Sequence, residues 1–401
     1  MQPGVITDTG KSISANHGRD GHKPSVEAFV RPYNFWYDFY QAYYREGLRL
    51  HLKEIGGRFE AISMSRFPGI LRPMRRVRDA YRLRPLFSRA EWLASAMDAL
   101  GRQMEGEIRS PSNTFHDGTG QYLIATAPGR EYKVCIDSGD YGELRNKELV
   151  AWSDIYFKTN FWPSLEYPSH VAPMVNGDPM VMSRLDGFRS ARQMDKQYDI
   201  CFIVRVWGGT KDESEGVEHN IRLLEAVARV DCKKFLFAYL VAGDIEKYGR
   251  RLSAQGIPWG TQPMPAEDLW RVTAQSRLNI IRLGMHYCIP WRLTGALALG
   301  SCVVLDRAPL TLWPQPLLSE TNYLSLDVET APEQTLAAEH QYAAVPERLE
   351  RWLADAEMIA AIAANNSAYF DHYLHPERVG AQIMQKVLGL DMKALPNDRF
   401  K

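Results

Sequence analysis

The chain has 401 residues, enough for two domains of ordinary size. Its 45% hydrophobic and 24% charged content suit a globular protein, and 48 basic residues balance 48 acidic ones, so net charge points to no class of partner. Five scattered cysteines (Cys135, Cys201, Cys232, Cys288, Cys302) argue against a disulfide framework or a zinc site and fit a reducing cytoplasm; no apolar run approaches the ~18 residues that would span a bilayer.

Residues 1–24 are polar and Gly-bearing and read as a disordered leader without a signal peptide. Residues 32–56 are strongly aromatic, and the spacing of Trp36, Tyr40, Tyr43 and Tyr44 predicts a helix with an apolar face. Phe59–Met64 predicts a strand. The stretch 65–89 carries eight arginines, including Arg72, Arg75, Arg76 and Arg78, against the single acid Asp79. It reads either as a solvated helix face or as an anion-binding surface for a membrane, a phosphate-bearing acceptor or nucleic acid. Pro68, Pro73 and Pro85 break it into short pieces, against one long membrane-lying helix.

A helix is predicted over 91–107, then strands over Gln121–Ala127, Lys133–Asp137 and Asp154–Lys158. The loop before the first of these holds His116 and Asp117, and the second ends on Asp137-Ser138-Gly139-Asp140. Pro- and Gly-rich residues 168–195 read as an interdomain linker. Beyond it the pattern alternates: strand 198–206, helix 216–230, strand 234–241, helix 245–255, a short strand near Ile257, helix 266–275, strand 278–282, helix 291–299, strand 301–305 and strand 322–326. Such alternation predicts βαβ units around a parallel sheet. Helices are predicted over 346–363 and 376–388.

The stretch Ser276–Asp306 carries a resemblance. Arg292, Ala296, Leu297, Ala298 and Gly300, followed by Cys302, Val303 and Val304, resemble the donor-binding segment of GT-B glycosyltransferases, in particular the exostosin-like and CgeB-like branches. Members carry an Arg, a Glu-Ala-Leu-Ala-x-Gly run and an apolar strand; this chain departs at Gly295, where many have a Glu that holds the nucleotide ribose. The Asp154–Lys158 segment is similar to one near the end of the first domain in exostosin-like proteins. The resemblance implies an α/β, GT-B-like fold: two Rossmann-like domains face a cleft, and C-terminal helices cross back to the first. The expected division is a leader 1–24, an acceptor-side domain 25–185, a nucleotide-sugar-binding domain 196–365 and a C-terminal helix and tail 366–401.

Sugar transfer from a nucleotide donor needs positive or dipolar stabilisation of a phosphate leaving group and a base for the acceptor hydroxyl. Gly208 and Gly209, after the 198–206 strand, allow close backbone approach to phosphate, and Arg205 supplies a two-pronged cation. Arg282, His286, Arg292 and Thr294 are the second donor-side group, and Lys158 approaches from across the cleft or is simply exposed. For the base the candidates are His116 with Asp117, Asp137 and Asp140. No G-x-G-x-x-G, P-loop, H-E-x-x-H or paired C-x-x-C occurs, and neither a metal nor a cofactor is expected.

The expected activity is metal-independent glycosyl transfer from a nucleotide sugar to a glycan, a lipid-linked precursor or another anionic acceptor. The expected location is the cytoplasm, with peripheral contact at the inner face of a membrane. Transfer to a modified DNA base, a non-catalytic nucleotide- or sugar-binding protein and a GT-B-like epimerase are the alternatives.

Overall fold

The computed structural model describes residues 23–30, 35–63, 119–126, 130–181, 185–206, 213–240, 245–284, 286–329 and 336–394. The arginine-rich stretch with Arg72, Arg75, Arg76 and Arg78, the helix expected over 91–107, His116, Asp117, Gly208 and Gly209 lie outside these residues.

The first sheet has six strands: β1 (Ser25–Val30), β2 (Arg58–Ser63), β3 (Thr119–Thr126), β4 (Arg130–Asp137), β5 (Ile155–Lys158) and β6 (Val171–Pro173), in the order β2-β1-β3-β4-β5-β6. All run one way except β3, which is antiparallel to both β1 and β4. Helix α1 (Phe35–Glu54) joins the parallel pair β1 and β2, and the short helix α2 (Lys147–Trp152) follows β4. The stretch read as a linker contains the edge strand β6 and a helix, α3 (Leu185–Ala191). Pro173 is tolerated there because β6 is an edge strand, and the bond to β5 at this point comes from the next residue, the Met174 amide reaching the Lys158 carbonyl.

The second sheet is wholly parallel: β7 (Tyr198–Val206), β8 (Lys234–Leu240), β9 (Trp259–Gly260), β10 (Ser276–Ile281), β11 (Cys302–Leu305) and β12 (Tyr323–Ser325), ordered β12-β11-β10-β7-β8-β9. Counted along the chain, this is the 3-2-1-4-5-6 order of doubly wound dinucleotide-type domains, and its direction reverses between β7 and β10. The apolar runs of β10 and β11 are buried, as central parallel strands require.

The connecting helices are α4 (Glu213–Ala228), α5 (Arg250–Ala254, preceded by a wider turn over Ile245–Gly249), α6 (Ala266–Ala274) and α7 (Trp291–Ala298). Gly300 ends α7 at φ +60°, with the Ser301 amide reaching the Ala296 carbonyl and the Gly300 amide reaching Leu297. This is the left-handed cap that glycine accepts most readily.

The tail forms α8 (Glu339–Ala343), α9 (Val345–Leu353), α10 (Ala356–Tyr369), a turn over Phe370–Leu374 and α11 (Pro376–Ala394). The single helix expected over 346–363 is two, because Asp355 caps a new start by accepting from the Met358 amide.

Helix α11 lies across α1 of the first domain. The Tyr43 hydroxyl donates to the Leu374 carbonyl, and Gly47 and Gly380 meet backbone to backbone. One hydrophobic core runs from Val26, Ile124 and Val134 of the first sheet into Leu293 of α7 and Val379 of α11; a second, around Phe202, Val227 and Tyr342, fills the other side of the second sheet. Two α/β domains tied by a C-terminal helix that returns to the first form a GT-B-like fold. Among the described residues no helix is long and apolar enough to cross a membrane.

Candidate functional site

On the first domain, the carboxyl ends of β4 and β5 bring Asp137 and Lys158 into register. The Asp137 carboxylate is fully engaged. Its Oδ1 accepts from the Gly139 amide at 2.8 Å, and its Oδ2 accepts from the Tyr156 hydroxyl at 2.8 Å and from Lys158 Nζ at 2.9 Å. Lys158 is buried, not exposed, with 1% of its side chain accessible. Gln41 of α1 fixes the turn that follows, donating to the Ile136 carbonyl and to Ser138. Above the pair opens a pocket of ≈ 330 Å³ lined by Tyr40, Thr119, Asp140, Tyr141 and Arg145.

Asn160 bridges the domains. Its Nδ2 donates to the Asp140 carbonyl and, at 3.2 Å, to the His286 carbonyl; its Oδ1 accepts from Trp162 Nε1 and from the Thr311 hydroxyl. The His286 ring lies against Tyr141 at 4.0 Å between centroids, tilted by 32°. Asp140 opens to solvent at the pocket mouth, yet protein crowds it on most sides. Partial burial raises its carboxyl above the usual carboxylate value, against the pull of the Cys288 thiol and of His286.

On the second domain, the crevice lies where β7 and β10 part. Their ladder ends at the Phe202–Ile280 pair. Arg292, from the first turn of α7, fills the opening: Nη1 donates to the Ile203 carbonyl at 2.5 Å, while Nε and Nη2 are buried without an oxygen partner. Burial pulls this guanidinium below its ordinary value, as it does that of Arg282, the residue after β10. Arg205, exposed near the end of β7, lies over the Tyr239 ring at 5.6 Å. Thr294 is buried, and its hydroxyl holds the Asn176 carbonyl of the interdomain segment at 2.7 Å.

Several residues that sequence reasoning passed over belong to this crevice. Asp306, which closes the β11 run, accepts from the Leu283 amide at 2.8 Å and faces His219 at 3.2 Å. Arg307 follows it and lies 4.2 Å over the Tyr287 ring. The only sequence signal was position: Asp306 directly follows an apolar strand and Arg307 comes next. Asp178 sits in the interdomain segment. Its Oδ2 lies 2.6 Å from where a Cβ on Gly295 would stand, and the Trp270 ring is closer still. A Glu at 295 would therefore displace both.

No family model matches the chain, and no curated protein does. Among solved structures it is similar to a glycosyltransferase from Rickettsia africae ESF-5, with a TM-score of 0.47 and 9% identity over 91% of this chain and 98% of that one. It is also similar to Anabaena Alr3699/HepE in complex with UDP-glucose, with a TM-score of 0.39 and 10% identity over 91% and 100%. A third is WaaG, a glycosyltransferase involved in lipopolysaccharide biosynthesis, with a TM-score of 0.37 and 12% identity over 81% and 86%. At such identities nothing about ligands passes from them to this chain.

Proposed function

We propose that the protein is a glycosyltransferase that moves a sugar from a nucleotide-activated donor to an acceptor held by the first domain. The observation that carries this reading is the concentration of guanidinium groups at the strand-order reversal of the second sheet. Arg292 fills the gap between β7 and β10, Arg205 is the penultimate residue of β7, and Arg282 and Arg307 follow the ends of β10 and β11. Open α/β sheets bind ligands at that point, and guanidinium forks suit the charge that develops on a departing phosphate.

Across the cleft Asp140 is the better placed base, since both oxygens of Asp137 are committed. In the proposed step the acceptor hydroxyl gives its proton to the Asp140 carboxylate as its oxygen bonds to the anomeric carbon. The bond from that carbon to the donor phosphate breaks, and its electron pair leaves with the nucleotide. A carboxyl raised by burial is the stronger base for this task. Asp137 and Lys158 set the floor beneath it. A glycan or lipid-linked acceptor remains the proposal from Arg72, Arg75, Arg76 and Arg78; the exostosin-like or CgeB-like branch rests on residues 292–304 alone.

Gly295 favours a second reading, nucleotide or sugar binding without turnover, because the space for a ribose-holding Glu is taken by Asp178 and Trp270. Incubation with UDP-, GDP-, ADP-, TDP- and CMP-sugars and a glycan pool separates the two. Transfer predicts free nucleotide from one donor, and loss of release in Asp140→Asn with donor binding retained. Binding without release supports the second reading, and no binding refutes both.

A further inference from the structure

A buried chain of polar side chains behind the crevice has no role in the step above. The Ala337 amide donates to the Tyr342 hydroxyl oxygen at 3.2 Å. Tyr342 and His219 Nδ1 are 2.7 Å apart, and His219 Nε2 and Asp306 Oδ2 are 3.2 Å apart. The Leu283 amide donates to Asp306 Oδ1 at 2.8 Å. One assignment satisfies every group. Ionised Asp306 only accepts, so His219 donates through Nε2, and its Nδ1 accepts from the Tyr342 hydroxyl.

His219 and Asp306 are wholly buried, in α4 and after β11. Burial holds the imidazole below its usual value, outweighing the pull of Asp306, so it is neutral at physiological pH. Burial alone would raise the Asp306 carboxyl. The His219 hydrogen bond and the Arg307 and Arg282 guanidiniums more than reverse this and keep it ionised. The local charges are then one carboxylate against two guanidiniums, Arg282 and Arg307, with the latter's Nε 3.6 Å from Asp306. The balance is one net positive charge at the carboxyl ends of β10 and β11, where an anion would be stabilised.

We propose that Asp306, His219 and Tyr342 are positioning residues: they hold Arg282, Arg307 and the start of the 283–290 loop in place for a phosphate of the donor. The inference rests on the nucleotide-sugar reading. The hydrogen-bond chain spans α8, α4 and the ends of β10 and β11, so a missing link lets Asp306 shift, and with it the Leu283 amide and the two arginines beside it. Tyr342→Phe removes one oxygen and keeps the ring. His219→Gln keeps an amide donor for Asp306, and His219→Leu removes it.

The test is calorimetric titration of wild type and the three variants with inorganic pyrophosphate, with UDP, GDP, ADP, TDP and CMP, and with the five matching nucleosides. For the nucleotide that wild type binds, the dissociation constant is expected to rise about tenfold or more in His219→Leu and roughly threefold or more in Tyr342→Phe. His219→Gln is expected to stay within about threefold, and the matching nucleoside within about twofold. A general loss of stability would not separate nucleotide from nucleoside in this way. Unchanged nucleotide binding in folded His219→Leu and Tyr342→Phe overturns the inference. If His219→Leu does not fold, Tyr342→Phe decides alone. If wild type binds neither pyrophosphate nor any of the five nucleotides, the nucleotide-sugar reading fails. The positioning role is then judged by hydrogen exchange at the Leu283 amide: faster exchange in Tyr342→Phe but not in His219→Gln upholds it, and unchanged exchange refutes it.

Discussion

Gly47 of α1 and Gly380 of α11 cross so closely that a Cβ on either would strike the other segment's backbone. At Gly380 the obstacle is the Gly47 carbonyl, and at Gly47 it is the Pro376 carbonyl. Backbone cannot swing aside as a flexible side chain can. Gly380→Ala is therefore expected to destabilise the protein by about 1–3 kcal/mol through overpacking. Gly389, in the same helix, has nothing within 4 Å of its Cβ position. Gly389→Ala is expected to be neutral or to stabilise by about 0.5–1 kcal/mol. Melting temperatures of the two variants check the contrast; equal shifts would remove the crossing as the anchor of the tail.

The Asp137–Lys158 pair is largely buried at the floor of the candidate pocket, so its halves are not separable. Lys158→Met leaves a buried carboxylate with only Tyr156 and an amide, an expected loss of about 3–5 kcal/mol. Asp137→Asn with Lys158→Met removes both charges and is expected to recover part of that loss. A double-mutant cycle in urea measures the coupling, and additive losses would contradict it.

Of the fold, most was legible in the sequence. The apolar runs of β7, β10 and β11 and the small-residue helix ending at Gly300 announced the second domain, because buried parallel strands and left-handed caps have local signatures. Strand β1 was not legible: SVEAFV adjoins a polar leader, and it becomes a strand only by pairing with β2 and β3. The site was legible only in part. Arg205, Arg282 and Arg292 stand at strand ends or a helix start, which sequence can place. His219 gave no signal, since Asp306 lies 87 residues away and Tyr342 123. Nor could the sequence show that Asp178 would fill the space beside Gly295.

That contact makes its own prediction. Gly295→Ala must push against the Trp270 ring and Asp178 Oδ2, for an expected loss of about 1–3 kcal/mol, and Gly295→Glu is expected to lose more. Removing the carboxylate relieves half the clash, so Gly295→Ala is expected to be milder in an Asp178→Gly background. Chemical denaturation of the four proteins reads the coupling, and an unchanged penalty would contradict it.

Asp178 also sets a pH dependence. Burial raises its carboxyl well above the ordinary value, against the Met180 amide and the Arg292 charge. The unfolded group titrates near pH ~3.9. Between that and the folded value the native state binds the extra proton, so wild-type stability falls as pH rises through this window. Asp178→Asn keeps the oxygen that accepts from the Met180 amide and cannot ionise. Its stability advantage over wild type is therefore expected to grow as pH rises from about 4 and then level off. Urea midpoints at successive pH values measure it. A constant difference would mean that Arg292 keeps Asp178 ionised throughout.

The crevice between β7 and β10 is where the phosphates of a nucleotide sugar are proposed to sit. Arg292 is a poor probe, because its guanidinium also ties α7 to β7. Arg282 is the better one, and the most direct measurement is calorimetric titration of wild type and Arg282→Gln with UDP, GDP, ADP, TDP and CMP. Saturable binding of one of them is expected, weakened about tenfold or more in the folded variant. No binding of any nucleotide by folded wild type, or equal binding by both proteins, would contradict it.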